Sequence, residues 1–393
     1  MERVFIVEGA RTPVGRFLGS FSEIPAVDLG IHAVKAALDR AGVEPSAVDE
    51  LVFGHARQAG NGPNPARQVA YRSGLGEDKP AFTVNMACGS GSKAVQVAAE
   101  QIMLGNAEVV VAGGQENMTR TPFLLDRMRF GYRMGDATMY DGMNKDGFLD
   151  PLCGLIMGET AENLAARYSI PREEQDEFAL RSQQKAASTW DRRAKEIAPI
   201  EIPGPKGQTT IIERDEHPRP ETTLEALAHL KPVFDQQTGT VTAGNSSGIT
   251  DGAAAMVLIS ESRAKAEGRE PLARIVAYAS AGVDPAYMGI GVVPATRKVL
   301  DKTGLSLQDF EIIELNEAFA AQVLACDREL KFDHDRLNPN GGAIALGHPI
   351  GMTGARIILT TAYEMREKGY SLGLATLCIS GGMGMAMVLE RQA

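Results

Sequence analysis

Four side chains stand where a chain can do covalent chemistry: two cysteines, a histidine and an asparagine, each next to glycine-rich or helix-opening sequence. Cys88 lies in V-N-M-A-C-G-S-G-S-K-A-V (Val84–Val95), between an apolar run and a G-S-G turn that opens a helix near Ser90. The free N–H groups of a helix start lower a thiol pKa and form an oxyanion site, and glycines admit a substrate close to the backbone. His348 lies in N-G-G-A-I-A-L-G-H-P-I-G-M-T-G-A-R-I (Asn340–Ile357), also at the head of a helix. Cys378 ends the strand L-G-L-A-T-L-C before I-S-G-G-M-G, and Asn316 follows the strand I-I-E-L (Ile312–Leu315) and opens N-E-A-F-A-A-Q-V. Each has a plainer reading: a core thiol for Cys88, a turn residue for His348, packing for Cys378 and a helix N-cap for Asn316. Cys153 and Cys326 lack such a setting and read as core.

A Cys–His pair is an activated nucleophile. A second thiol adds something a protease does not need. One thiol can carry an acyl group while the other handles a proton on the carbon beside a thioester, with donors aimed at the enolate oxygen. That is a Claisen condensation, or its reversal by a free thiol.

The elements that must position these groups come in two copies. D-L-G-I-H-A-V-K-A-A-L-D-R-A-G-V (Asp28–Val43) runs parallel to G-I-G-V-V-P-A-T-R-K-V-L-D-K-T-G-L (Gly289–Leu305), each an amphipathic helix with a glycine stop and then a buried strand, Leu51–Phe53 or Ile312–Leu315. Val4–Val7 matches Arg274–Ala277, Val109–Ala112 matches Leu374–Cys378, and Ala253–Ile259 matches Met385–Leu389. Leu38 to Cys88 is 50 positions and Leu300 to His348 is 48, so Cys88 and His348 occupy related places in the two copies. Alternating strands and helices predict parallel sheets covered on both faces, a layered α/β/α/β/α arrangement about a pseudo-dyad, with ligands near strand C-termini. The expected division is an N-terminal half at 1–118 and 250–271, an inserted lid at 119–249 and a C-terminal half at 272–393, with helices at Gly158–Tyr168 and Pro171–Arg193 in the insertion.

Bulk properties exclude several classes. A net charge of −10 without a basic stripe argues against nucleic-acid binding. No apolar run is long enough to cross a membrane, and the opening M-E-R-V-F-I-V reads as a strand rather than a secretory signal. Four scattered cysteines do not form a disulfide scaffold, and without C-x-x-C or H-x-x-x-H spacing no metal site is expected. G-I-G-V-V-P (Gly289–Pro294) and G-S-G-S-K fail as nucleotide loops. A cytoplasmic enzyme with reduced thiols is the expectation.

The chain resembles the thiolases over essentially its whole length. The motifs that carry the resemblance are N-M-A-C-G-S-G, G-N-S-S-G-I-T-D-G-A-A-A (Gly244–Ala255), N-E-A-F-A, N-G-G-A-I-A-L-G-H-P-I-G and C-I-S-G-G-M-G, in order. The resemblance implies that Cys88 takes the acyl group, that His348 activates it, that Cys378 is the acid/base on the second substrate and that Asn316 holds a water in an oxyanion hole shared with His348. It implies a second oxyanion hole from the N–H groups of Cys88 and Ser380, and coenzyme A contacts at Ser247, Ala243, Arg219 and Met157. Departures are Ile156 where the short-chain biosynthetic branch usually has His, Ser380 where Gly is common, and Pro339 where Val is usual. The implied reaction joins two acetyl-CoA into acetoacetyl-CoA and CoA, reversibly, with no cofactor, in a homodimer or homotetramer. Rival readings are a degradative 3-ketoacyl-CoA thiolase for longer chains, with Met128, Met134, Met139, Met143 and Met157 shaping its pocket, a ketoacyl synthase, and a non-catalytic CoA-thioester binding protein.

Overall fold

The computed structural model describes residues 2–203 and 208–392. Its main sheet runs, strand by strand, Ile312–Leu315, Leu372–Ile379, Met383–Glu390, Ala273–Gly282, Val4–Arg11, Thr250–Ser260, Val109–Asn117, Glu50–Gly54, Ala81–Val84. Parallel pairing is confined to the two ends: Ile312–Leu315 with Leu372–Ile379, and Val109–Asn117 with Glu50–Gly54 and on to Ala81–Val84. The centre is antiparallel, which corrects the expectation of parallel sheets. The reason is that each copy ends with a strand that returns beside its own first strand. All eleven residues of Thr250–Ser260 and all nine of Val109–Asn117 are buried, as strands covered on both faces require.

The opening strands of the two copies pair with each other, Val4 opposite Ile275 and Ile6 opposite Ala273, antiparallel. Matching strands meeting in opposite directions give the junction a local two-fold character. Three apolar clusters define five layers. One joins the helix Ala26–Ala41 to the N-terminal strands. A second joins the helices Val292–Thr303 and Ala320–Leu330 to the C-terminal strands. The third lies between the two sets of strands and is filled by the helices Ser90–Met103 and Ile350–Lys368. The helix Ala26–Ala41 buries Val27, Val34, Leu38 and Ala41 with Leu29, Ala33 and Ala37, and Gly42 stops it at φ 57°.

The two central helices approach at glycines. A Cβ on Gly91 would fall 2.6 Å from the Ala355 nitrogen, and one on Gly354 would fall 2.5 Å from the Ser92 nitrogen. Only a residue without a side chain allows this crossing near the helix starts, beside which Cys88 and His348 sit.

Residues 119–249 add elements outside the main sheet, including the hairpin Phe123–Leu125 with Met139–Asp141 and the helices Met157–Arg167 and Arg172–Ser188. The expected single helix to Arg193 breaks at Thr189, whose hydroxyl donates to the Lys185 carbonyl at 2.7 Å, and resumes as Trp190–Ala194. Arg11 anchors this segment to the sheet, with Nε 2.8 Å from Glu196 and Nη1 2.6 Å from Asp215, all three side chains buried. Removing one partner of such a set strands a buried charge, at about 3–5 kcal/mol. Cys326 is core as expected, but Cys153 is half-buried in a turn, because its neighbours Pro151 and Leu152 leave that turn at the surface. Among the described residues no helix is long and apolar enough to cross a membrane.

Candidate active site

The turn that carries Cys88 is held open by its own side chains. Ala87 takes φ +44°, rare for a residue with a Cβ and a sign of a constrained site. Ser90 closes the turn, its hydroxyl donating to the Ala87 carbonyl at 2.6 Å and accepting from the Met86 N–H at 2.9 Å. Cys88 is left half-buried just before the helix start.

The strand end Cys378–Ile379 lies against this turn, since a Cβ on Gly89 would sit 2.5 Å from Cδ1 of Ile379. The Ser380 N–H faces the Cys88 sulfur and favours its thiolate. Ser380 therefore supplies a backbone donor at the place where a glycine is usual. The expected lowering of the Cys88 pKa is not met. Burial pushes the thiol up, and the Ser380 N–H and then the Arg57 charge only offset part of this. Cys378 is fully buried and its thiol is pushed well above its ordinary range, first by burial and then by Cys88 and Cys326 nearby.

His348 is buried, and burial followed by the Arg356 and Arg57 charges lowers its pKa to about 3. The ring is neutral at physiological pH. Nδ1 lies 2.6 Å from the Thr353 hydroxyl, and that hydroxyl donates to the Pro349 carbonyl at 2.9 Å. With its one hydrogen used there, the hydroxyl accepts from Nδ1–H, which fixes the tautomer and leaves a lone pair on Nε2. Nε2 lies 3.5 Å from Nδ2 of Asn316. Asn316 is not an N-cap, because the helix starts only at Ala320 behind Phe319. It is fully buried, its N–H donates to the Thr376 carbonyl at 3.0 Å, and its Oδ1 has no partner among the described residues. A buried amide oxygen left open this way can take a water or a substrate donor.

The segment 243–249 runs along this group. The Ser247 N–H donates to the Ala318 carbonyl at 2.9 Å, and the Gly248 carbonyl accepts from the His348 N–H at 3.3 Å. Ala243 is exposed farther out. Met157 is buried in the same apolar cluster as Cys378, Met288 and Ala318. Ile156 precedes it, and its N–H donates to Glu159 at 2.7 Å, so the position where His is usual is a helix N-cap here. Arg219 is exposed, with its N–H on Gln183 at 2.8 Å, well outside the buried group. His217 stands between it and the site, bonded to the Ala345 carbonyl at 2.9 Å and so close to Gly248 that a Cβ there would meet its ring at 2.0 Å. Asn340 is buried and donates to Glu364 at 2.9 Å, away from the thiols.

Sequence reasoning missed the charges behind the site. Glu116 is fully buried. It accepts from the N–H groups of Ala56 (3.1 Å), Arg57 (3.0 Å) and Gly351 (2.9 Å) and pairs with His55 Nε2 at 3.2 Å. Burial works against its charge, but His55 and Arg57 outweigh it and hold the carboxyl below its ordinary pKa. Glu116 thus ties the 55–57 turn to the helix that follows His348. Thr353 could have been found from its place five residues after His348 on a helix; Glu116, His55 and Arg57 gave no signal, lying in segments read only as strand or loop.

Comparison with known proteins finds relatives over the whole chain. The family described as "Thiolase, N-terminal domain" matches residues 4–262, and "Thiolase, C-terminal domain" matches residues 269–391. The chain is 52% identical over 394 residues to the acetyl-CoA acetyltransferase of Escherichia coli (strain K12) and 52% identical over 393 residues to that of Pseudomonas aeruginosa, covering 100% of both chains in each case. The crystal structure of the Bacillus anthracis acetyl-CoA acetyltransferase superposes with TM-score 0.97 at 44% identity, covering 100% of this chain and 99% of that one. The human mitochondrial 3-ketoacyl-CoA thiolase does so with TM-score 0.96 at 42% identity and the same coverage.

Proposed function

The chain belongs to the thiolase family, and from that premise we propose that it is an acetyl-CoA C-acetyltransferase. It joins two acetyl-CoA into acetoacetyl-CoA and CoA, and runs the reverse thiolysis. The observation that carries this reading is the pair of thiols, Cys88 half-open with the Ser380 N–H upon it and Cys378 buried beside it.

Cys88 gives its proton to Nε2 of the neutral His348 and attacks the thioester carbonyl. The oxygen that becomes negative is received by the N–H groups of Cys88 and Ser380. CoA leaves with the proton, and the acetyl group stays on Cys88. Cys378 passes its own thiol proton to Nε2 of His348, and the resulting thiolate takes a proton from the methyl carbon of a second acetyl-CoA. The enolate oxygen accepts from the Nε2–H of His348 and from a water on Asn316, its carbon attacks acetyl-Cys88, and His348 returns its proton to the departing Cys88 sulfur. Acetoacetyl-CoA forms and Cys88 is released, so atoms balance without a metal or redox cofactor. Ser247, Ala243, Met157 and Arg219 follow the path of the coenzyme A arm outward. Residues 119–249 form the cover over it.

Ala56, Met118, Met143 and Ile350 form a small apolar cluster with Cys88 and Phe148 packed on it, which supports a short acyl group. The likeness to a 3-ketoacyl-CoA thiolase favours longer chains as the second reading. The assembly is a homodimer or homotetramer. Its support is the apolar arm of the hairpin, where Phe130 is 83% and Met134 96% exposed, and the open edge strand Ala81–Val84. A cytoplasmic location fits four cysteines that all stand as free thiols.

Two measurements test the proposal. Labelled acetyl-CoA should mark the wild type covalently and leave Cys88→Ala unmarked. Thiolysis should be faster with acetoacetyl-CoA than with a ten-carbon 3-ketoacyl-CoA; equal or better use of the longer chain selects the degradative reading, and use of neither sinks both.

A further inference from the structure

We propose that Arg57 is a positioning residue of the Cys88 site, holding the 143–148 turn against the thiol and facing it with a positive charge that no direct ion pair takes up. This rests on Cys88 being the attacking thiol.

Arg57 is only 7% exposed, yet its Nε has no hydrogen-bond partner and no carboxylate among the described residues pairs with its guanidinium. A buried cation left this way is costly unless it serves a charge that forms nearby. Its backbone is fixed from two sides. The Arg57 N–H donates to Glu116 at 3.0 Å, and the neighbouring Ala56 carbonyl accepts from Asn85 at 3.1 Å, three residues before Cys88. The guanidinium lies under the turn, since a Cβ on Gly147 would meet Nη2 at 2.2 Å and Cζ at 2.4 Å, and it sits 5.9 Å from the Phe148 ring centre. Phe148 and Cys88 pack on the same small apolar cluster. Arg57, Phe148 and Cys88 are thus consecutive layers of one wall.

The other charged and titratable groups here do not cancel Arg57. Glu116 is the nearby carboxylate; it feels the Arg57 charge but makes no ion pair with the guanidinium, its oxygens being taken by three N–H donors and His55, and Lys145 and Asp146 on the turn itself are exposed. His348 is neutral, and Cys378 is a neutral buried thiol. Asp150 on the next turn accepts from the Gly381 N–H at 2.9 Å. The Arg57 charge is felt by both members of the Cys88 and His348 pair, favouring the thiolate on one and the neutral ring on the other.

The test reads Cys88 without turnover. Iodoacetamide alkylation of the Cys88 peptide is followed by mass spectrometry across pH in the full-length wild type, Arg57→Gln, Arg57→Lys and Gly147→Ala. Arg57→Gln should move the midpoint up by about one pH unit, with the rate at neutral pH down about tenfold. Arg57→Lys, which keeps the charge, should stay near the wild type. Gly147→Ala keeps Arg57 but displaces its guanidinium, and should move the midpoint upward too, so a poorly folding Arg57→Gln does not remove the test. Wild-type midpoints in Arg57→Gln and Gly147→Ala would overturn the proposal. Failure of acetyl labelling in the wild type would instead overturn the role of Cys88, which is a separate result.

Discussion

The imidazole Nδ1 of His348 and the hydroxyl of Thr353 are 2.6 Å apart, and the hydroxyl spends its only hydrogen on the Pro349 carbonyl. The orientation and tautomer of His348 therefore depend on a residue in the first turn of the helix that follows it. Thr353→Val should lower kcat for acetoacetyl-CoA thiolysis about tenfold, the loss of roughly one buried hydrogen bond to the reacting ring, with KM little changed. Thr353→Ser should restore most of it. An unchanged kcat in Thr353→Val would show that the ring is held some other way.

The low pKa of His348 sets a sign for stability against acid. Its native value, about 3, lies below the ordinary 6.5. Between those values the unfolded chain binds a proton that the native chain refuses. The stability this residue contributes is therefore constant above about pH 6.5 and falls as pH drops from there toward 3. The ring resonance of His348 in a proton NMR titration should not move between pH 5 and 8. An inflection near 6.5 would contradict the burial argument.

Cys378→Ala should separate the two half-reactions. Cys88 keeps its donors, so one equivalent of CoA should still be released on mixing with acetyl-CoA and the acetyl group should remain on the protein. Condensation should fall by at least about a hundredfold, as loss of a general base does. Loss of the initial CoA release as well would mean that Cys378 is needed for acylation.

Gly354→Ala places a methyl 2.5 Å from the Ser92 backbone nitrogen. No side chain can yield there, so the two central helices must part. A loss of at least about 1–3 kcal/mol in urea unfolding is expected, together with lower turnover, because the same crossing sets the Cys88 turn against the His348 turn. A variant with native stability and native kcat would show that the crossing is looser than described.

The apolar arm makes a prediction about assembly. Phe130→Asp combined with Met134→Asp places charges at side chains 83% and 96% exposed. Sedimentation should show a smaller species than the wild type, while the monomer fold measured by circular dichroism stays intact. Identical sedimentation would remove this arm from the interface.

Much of the site was legible because its residues are tied to local patterns. Cys88, His348 and Cys378 each sit at the end of an element with an apolar period and a glycine signal, and the 50- and 48-residue spacings relate the first two in the sequence itself. The strand boundaries were close, with Ile312–Leu315 matching residue for residue. Strand direction was not legible. Whether Met383–Glu390 returns antiparallel beside Ala273–Gly282 is decided by which strands share a core, not by their own sequence. Asn316 was read in part as a cap because Asn before a helix usually is one; three non-helical residues separate it from the helix. Arg57, His55 and Glu116 were invisible for a related reason. A buried charge has no period, and its partners lie far off in sequence, Glu116 being 235 positions from Gly351.

The pairing of Val4–Ile6 with Ala273–Ile275 joins two copies of one plan about a local two-fold. What one copy offers at the start of its central helix, the other offers inverted at the start of its own. In one the place is filled by a thiol and in the other by an imidazole, and the second thiol comes from the imidazole's side. Neither copy keeps a full set of tools. Under the proposed roles the duplication has become a division of labour: a half released from its sibling would carry half a reaction.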